Sequence, residues 1–326
     1  MHVVVIGGGS GLWQTIAAVR PVATRLSVIV PTCANSGADA LIRRLGPFPG
    51  LATAVEVMLQ YSGDAAVQRL MQQQFVPLGT PYDRIPFAVL QLIAMAQSTG
   101  VLADTLDAMR QQLRCDIDVL MASEHPHDIV AHTSDDHTYV GASALAQPLS
   151  APVQQLTLDP VVVAPPHTLK VLRVADLVVI APGNLYRSVL PALMPVGIGE
   201  TLRTLTGRVA CCGALTTIAG HTDAFRAVDY VARIARTIGR GAIDVALLNS
   251  NDYTAVETAM LKHQDMAPLV YSNADQHVLT ALDIAVIVRD MLEPLPADAS
   301  ARTVAELTRH HTPELRMACM QVYKHD

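Results

Sequence analysis

Val3-Val4-Val5-Ile6-Gly7-Gly8-Gly9-Ser10-Gly11-Leu12-Trp13-Gln14-Thr15-Ile16-Ala17-Ala18-Val19 is the stretch whose reading decides the fold. The four β-branched residues at its start read as a short strand buried on both faces, as in a parallel sheet. Residues 12–19 have helical spacing and contain neither Gly nor Pro. A strand, a glycine turn and a helix start in succession make a place for an anion. The turn lets backbone approach the ligand, and the unpaired N–H groups at the helix start point at it. The same turn also serves as a tight strand-to-helix link with nothing bound.

The turn departs from two familiar patterns. A dinucleotide fingerprint has a third glycine for helix–strand packing and an acidic residue about 20 positions on. Leu12 stands where that glycine would fall, and the second strand, Leu26–Val30, runs into Pro31-Thr32 without a carboxylate. The Lys and Ser/Thr of a P-loop are absent as well. NAD binding and a Walker-type ATPase are set aside on these grounds.

Outward from that turn, strands and helices alternate, which predicts an α/β fold: a doubly wound, mostly parallel sheet in a Rossmann-like three-layer sandwich. Pro31-Thr32-Cys33-Ala34-Asn35-Ser36-Gly37 forms a second small-residue loop, followed by a helix from about Asp39. Gly46–Gly50 breaks the pattern, a helix resumes over 52–60, and 61–114 read as mainly helical. Ile117–Leu158 reads differently, with short strands at 116–120, 128–132 and 138–141 joined by polar turns, so 117–158 is expected as an antiparallel hairpin addition. The parallel pattern returns at Ala175–Ile180, followed by Pro182-Gly183-Asn184-Leu185-Tyr186-Arg187-Ser188. Further strands are expected at 208–213, 243–249 and 269–271, with helices at 223–238 and 303–322. A single nucleotide-binding α/β domain over 1–326 is the expected organisation, without repeats or a low-complexity linker.

The hairpin region carries His125, His127, Asp128, His132, Asp135, Asp136 and His137. They lie on alternating, turn-rich segments without a helical H-x-x-x-H pair, so a solvated face is expected rather than a metal site. The five cysteines include no C-x-x-C pair and fit reduced thiols packed as small apolar groups. At 326 residues the chain is long enough to bury a sizeable core. It is 51% hydrophobic, yet no apolar run reaches bilayer length, and its start has no signal-peptide pattern. A cytoplasmic location is expected. Net charge is −6, which gives no general attraction to nucleic acid or membrane, although Arg43-Arg44 and the arginines at 226, 233, 236 and 240 cluster in sequence.

Three loops thus leave the carboxyl ends of parallel strands: 7–11, 31–37 and 182–188. Ligands of open parallel sheets bind outside those ends, where strand order reverses. The candidate ligand-binding residues are Gly7, Gly8, Gly9, Ser10, Gly11, Asn35, Ser36, Gly37, Gly183, Asn184, Leu185, Tyr186, Arg187 and Ser188. Backbone N–H and neutral hydrogen-bonding groups of this kind suit phosphate oxygens and ribose hydroxyls.

Gly7–Gly11 and the run Ala175–Pro191 resemble the two signature segments of the 2-phospho-L-lactate transferase family. That family also includes the bacterial gluconeogenesis factor group, which binds UDP-sugars. Thr138–Ala142 and His311–Leu315 resemble further landmarks, so the likeness spans nearly the whole chain. The departures are informative. The family's two aspartates after the second strand fall at Pro31-Thr32, its Pro-Gly-Asp at Pro49-Gly50-Leu51, and its Gly-His and Gly-Asn pair near Tyr82–Phe87. Its asparagine after the fourth main strand falls at Ala214, and its Gly-Glu-Thr at Gly220-His221-Thr222.

The resemblance implies a nucleotide or nucleotide-sugar (UDP-sugar-like) binding protein with a metabolic regulatory role. The alternative it implies is a transferase that moves a phospholactyl-type group from a nucleoside diphosphate to a deazaflavin alcohol. That reaction brings negative charges together and calls for a divalent cation or its equivalent. Magnesium therefore enters only with the transferase, where Asp83, Asp223 or Arg187 would have to replace the missing aspartates. Binding alone calls for no cofactor and no metal. The expected partner is a nucleotide or nucleotide-sugar, without nucleic acid or membrane, and a homo-oligomer, a dimer, is expected.

Overall fold

A computed structural model describes residues 1–33, 39, 42, 43, 46–74, 85–295 and 301–324. The parallel strands are β1 (His2–Ile6), β2 (Arg25–Val30), β3 (Asp118–Met121), β7 (Leu177–Ile180), β8 (Arg208–Cys212), β9 (Val245–Asn249) and β10 (Ala285–Arg289). They form one seven-stranded sheet in the order β10-β9-β8-β7-β1-β2-β3, with every pairing parallel. A separate three-stranded antiparallel sheet has the order β5-β4-β6, from β4 (Asp128–Thr133), β5 (Thr138–Val140) and β6 (Val153–Asp159). The expected doubly wound α/β fold is what the chain adopts.

The sheet is buried on both faces, and the period of two along each strand divides its residues between two cores. Val3, Val5, Val28, Val30, Leu177 and Val179 face the side covered by Leu12 and Ile16 of the first helix (Ser10–Val19) and by Leu315 and Val322 of the last (Thr312–Lys324). Val4, Ile6, Ile29, Val178 and Ile180 face the other side, against Val231 and Ile234 of the helix Ala227–Ile238. That helix buries Val228, Val231, Ile234, Ala235 and Ile238, one stripe at helical spacing.

Chain direction fixes where a ligand fits. From β1 the chain moves outward through β2 to β3, then returns to β7 on β1's other side and continues to β10. Strand order reverses between β1 and β7, which is the switch point of an open parallel sheet. The turns after these two strands are Gly7–Gly11 and Pro182–Ser188.

Four expectations are corrected. Residues 118–121 are not part of the antiparallel addition: β3 pairs in parallel with β2. Its alternating burial reflects an edge position rather than a hairpin. Leu269–Tyr271 forms no strand, and the far edge is β10 instead. The helix expected from 223 begins at Ala227, because the Asp229 carboxylate takes the Arg226 N–H and fixes the cap there. The closing helix over 303–322 is two helices, Val304–Leu307 and Thr312–Lys324. Between them the His310 N–H donates to Gln14 Oε1 at 2.9 Å rather than to a helical carbonyl.

Three histidines of 125–137 have local partners, while Asp128 pairs with the distant Arg43. Nδ1 of His127 meets the His125 carbonyl, His132 meets Thr138, and His137 meets Asp135. Among the described residues no three His, Cys, Asp or Glu side chains group closely enough to hold a metal. All five cysteines are buried. Among the described residues no helix is long and apolar enough to cross a membrane.

Candidate functional site

The β1, β2 and β7 loops converge above the switch point. A Cβ placed on Gly8 would lie 3.0 Å from Pro31 Cγ and 3.4 Å from Ser188 Cβ, so all three loops meet at that residue. The ladder reaches the loops as well: Gly7 N–H donates to the Ile29 carbonyl and Ala181 N–H to that of Ile6.

Two glycines of the turn have different duties. A Cβ on Gly11 would sit 1.9 Å from the Pro182 carbonyl oxygen, so this position is bare because the β7 loop lies against it. Gly9 has φ +72°, and a Cβ there would meet only Ser188 Oγ, 4.0 Å away. Among the described residues nothing else comes within 4 Å of that position. Gly9 is also the N-cap residue of the first helix, which has no side-chain cap and no acidic residue in its first turn. The N–H groups of Gly8, Gly9, Ser10 and Gly11 make no hydrogen bond among the described residues, and Leu12 is the first to turn back, to the Gly9 carbonyl. An uncapped helix start of this kind is a positive end open to an anion.

The β7 loop is held by hydrogen bonds from within and from behind. Asn184 Oδ1 accepts from the Arg187 N–H at 2.9 Å, and its carbonyl accepts from Ser188 and Val189, forming the single wide turn Leu185–Val189. Tyr230, on the helix behind, donates its O–H to the Gly183 carbonyl at 3.0 Å and accepts from the Gly183 N–H at 3.2 Å. Burial pushes the Tyr230 phenol well above its ordinary pKa, so this grip stays neutral.

Ser10, Gly183 and Asn184 form a ridge with a hollow on each side, since all three line both. The first hollow, about 260 Å³, is walled by Gln14, Thr216, Thr222 and His310, with Ala214 and Leu215. Burial lowers the His310 pKa to about 4, so the ring is neutral at pH 7. Its Nε2 faces the Gly213 carbonyl at 3.0 Å and therefore carries the proton. The second hollow, about 340 Å³, is walled by Gly9, Arg187 and Ser188, together with Asp39, Thr53 and Glu56. Asp39 Oδ1 accepts from the N–H groups of Leu51 and Ala52 at 3.0 and 3.1 Å, capping the helix Ala52–Gln60. Burial, and then the Asp39 charge, raise the pKa of Glu56 above the ordinary carboxylate range.

Of the sequence candidates, Gly8, Gly9, Ser10, Gly11, Gly183, Asn184, Leu185, Arg187 and Ser188 line one or both hollows. Gly7 packs against Ala181 below them. Tyr186 is 1% exposed and lines neither hollow; its ring is core, beside His221 and under Arg233. Direct ligand contact expected of Tyr186 is thus not available to its side chain, because the wide turn points it into the second core. Asn35, Ser36 and Gly37 lie outside the described residues, as does Asp83. Asp223 accepts from the Gly220 N–H and lines neither hollow. Sequence reasoning missed Asp39 and Glu56, which stand 17 positions apart and meet only through the fold. It also missed His310.

These features define a class: a doubly wound α/β protein with an uncapped glycine turn at its switch point and a hollow on either side. The chain belongs to the CofD family, whose model, described as 2-phospho-L-lactate transferase CofD, matches residues 3–292. It is 28% identical to the gluconeogenesis factor of Halalkalibacterium halodurans over 88% of both chains. It is also 28% identical to that of Bacillus subtilis over 77% of this chain and 79% of that one. A Deinococcus radiodurans relative, provisionally named a gluconeogenesis factor, is 26% identical, and the match spans 55% of its length. Among solved structures, a Bacillus halodurans protein superposes with a TM-score of 0.84 over 98% of each chain, at 25% identity.

Proposed function

We propose that this chain binds a nucleotide or nucleotide-sugar of the UDP-sugar kind and acts as a metabolic regulator. The observation that carries the reading is the ridge of Ser10, Gly183 and Asn184 between two hollows, beside N–H groups from Gly8 to Gly11 that make no hydrogen bond among the described residues. A diphosphate would lie across the helix start, where those N–H groups meet its oxygens. The first hollow has the size and the neutral polar walls suited to a base, and the second would take the sugar. Arg187 lines the second hollow and meets the phosphate charge there. The relatives named gluconeogenesis factors support the regulatory part of the reading.

Asp39 and Glu56 favour a second reading, the transferase. Two carboxylates in the second hollow are groups that a divalent cation bridging to a diphosphate would use. Titrations of UDP, GDP and their sugar conjugates, each with magnesium or with a chelator, separate the two. Binding that is insensitive to chelation supports the sensor. A strong magnesium requirement that Glu56→Gln removes sinks it in favour of the transferase.

A further inference from the structure

Toward the C-terminal end of the helix Ala227–Ile238 runs a further groove, about 580 Å³, bounded by β6 and the helix Ile198–Arg203. Three arginines line it: Arg203, Arg233 and Arg236, with Glu200 the single carboxylate residue. The protein is acidic overall, and among the described residues ten other arginines pair with a carboxylate. These three do not. Arg233 Nη2 donates to the Val153 and Gln154 carbonyls at 3.3 and 2.9 Å, and its guanidinium lies over the Tyr186 ring. Arg203 Nη1 donates to the Ile238 carbonyl at 2.8 Å. Two guanidinium groups are thus fixed by backbone with N–H groups to spare, since each carries five. Beside them stand the amides of Gln154 and Gln155 and the hydroxyl of Thr237.

We propose that this groove is a binding site, separate from the glycine cradle, for a small sugar phosphate. Guanidinium forks hold a phosphomonoester through charge-assisted hydrogen bonds. The two amides and the threonine hydroxyl suit the sugar's hydroxyls. A flat basic patch would suit a membrane or nucleic acid, but this cluster is concave and of metabolite size. The groove backs directly onto the cradle's frame, because Arg233 touches Tyr186 and Tyr230 on the same helix grips Gly183.

Calorimetric titration of the intact chain with glucose 6-phosphate, inorganic phosphate and glucose tests the assignment. Glucose 6-phosphate binds best, phosphate more weakly and glucose not at all. The double variant Arg203→Ala/Arg236→Ala, checked for an unchanged thermal melt, weakens glucose 6-phosphate roughly tenfold or more. Gly9→Ala leaves that affinity intact, so the result stands apart from whatever happens to nucleotide binding at the cradle. Equal affinity in wild type and the double variant overturns the proposal, the arginines then serving only to neutralise a helix end. So does loss of binding in Gly9→Ala, which would move the phosphate to the cradle. Absence of binding at about 10 mM overturns it too, as does Arg236→Glu breaking a dimer in light scattering, which would make the groove an interface. If the double variant fails to fold, Arg236→Gln alone gives the same readout, since the Arg236 side chain makes no hydrogen bond among the described residues.

Discussion

Gly9 and Gly11 stand two positions apart, yet a methyl group added to each should have opposite consequences. At Gly11 it would collide with the Pro182 carbonyl oxygen at 1.9 Å, and backbone cannot give way there without parting the two loops. Gly11→Ala should therefore lower the melting temperature sharply and cost several kcal/mol. At Gly9 the methyl meets open space, and only the positive φ opposes it, at about 1–2 kcal/mol. Gly9→Ala should keep the fold while weakening UDP roughly tenfold or more in calorimetry, because the methyl stands where a phosphate oxygen approaches the N–H groups. Unchanged UDP affinity in a folded Gly9→Ala protein would leave the turn as a plain strand-to-helix link. Three glycines and a serine in a row announce that something is close by, but not whether it is a ligand or another loop. That distinction is invisible in the sequence, because Pro182 is 171 residues away from Gly11.

At the scale of elements, the inner strands were legible because runs such as Val3–Ile6 and Leu177–Ile180 are apolar on both faces, which only a covered parallel sheet explains. The edges were not. In β3 every second residue is partly exposed, and β10 has no fully buried residue, so both lose the signal that marks a buried strand. The same blindness hid the acidic wall of the second hollow. Asp39 looked like the start of its own helix, whereas its carboxylate caps a different one, at Leu51 and Ala52. The helix Ala227–Ile238 covers the sheet with its apolar stripe. Its polar additions, Tyr230 gripping Gly183 and Arg233 over Tyr186, tie it to the β7 loop. Tyr230→Phe should cost about 1–2 kcal/mol, since it strands a buried peptide group of Gly183. It should also loosen the loop, speeding amide exchange at Gly183–Ser188 and weakening UDP while melting remains cooperative. Wild-type exchange rates in that segment would show that Asn184 holds the loop unaided.

The whole molecule should answer to acid through its buried histidines. His310 links three distant pieces: its N–H donates to Gln14 on the first helix, its ring to Gly213 after β8, and its chain breaks the final helices apart. Burial lowers its pKa from an ordinary 6.5 to about 4, and burial lowers His2, His127 and His221 in the same direction. The unfolded chain therefore binds protons that the folded one refuses. Above pH 6.5 both forms of His310 are neutral and its ionisation contributes nothing to stability. As pH falls from 6.5 to 4 the unfolded state is favoured progressively, by about 3 kcal/mol from His310 alone at the lower limit. His310→Gln keeps an N–H that can reach the Gly213 carbonyl but cannot titrate. It should be somewhat less stable at pH 8, where a fitted ring is lost, and should lose less stability between pH 6.5 and 4 than the wild type does. Urea unfolding at a series of pH values reads both effects. The remaining slope belongs to the other three histidines, and steeper losses below about pH 4 to carboxylates whose pKa values lie below the ordinary range, such as Asp229 beside Arg226. Identical slopes for wild type and variant would show that His310 takes up its proton in the folded state. The wall between Gly213 and the first hollow would then have to open near neutral pH, and the hollow would be a charged site instead of a neutral one.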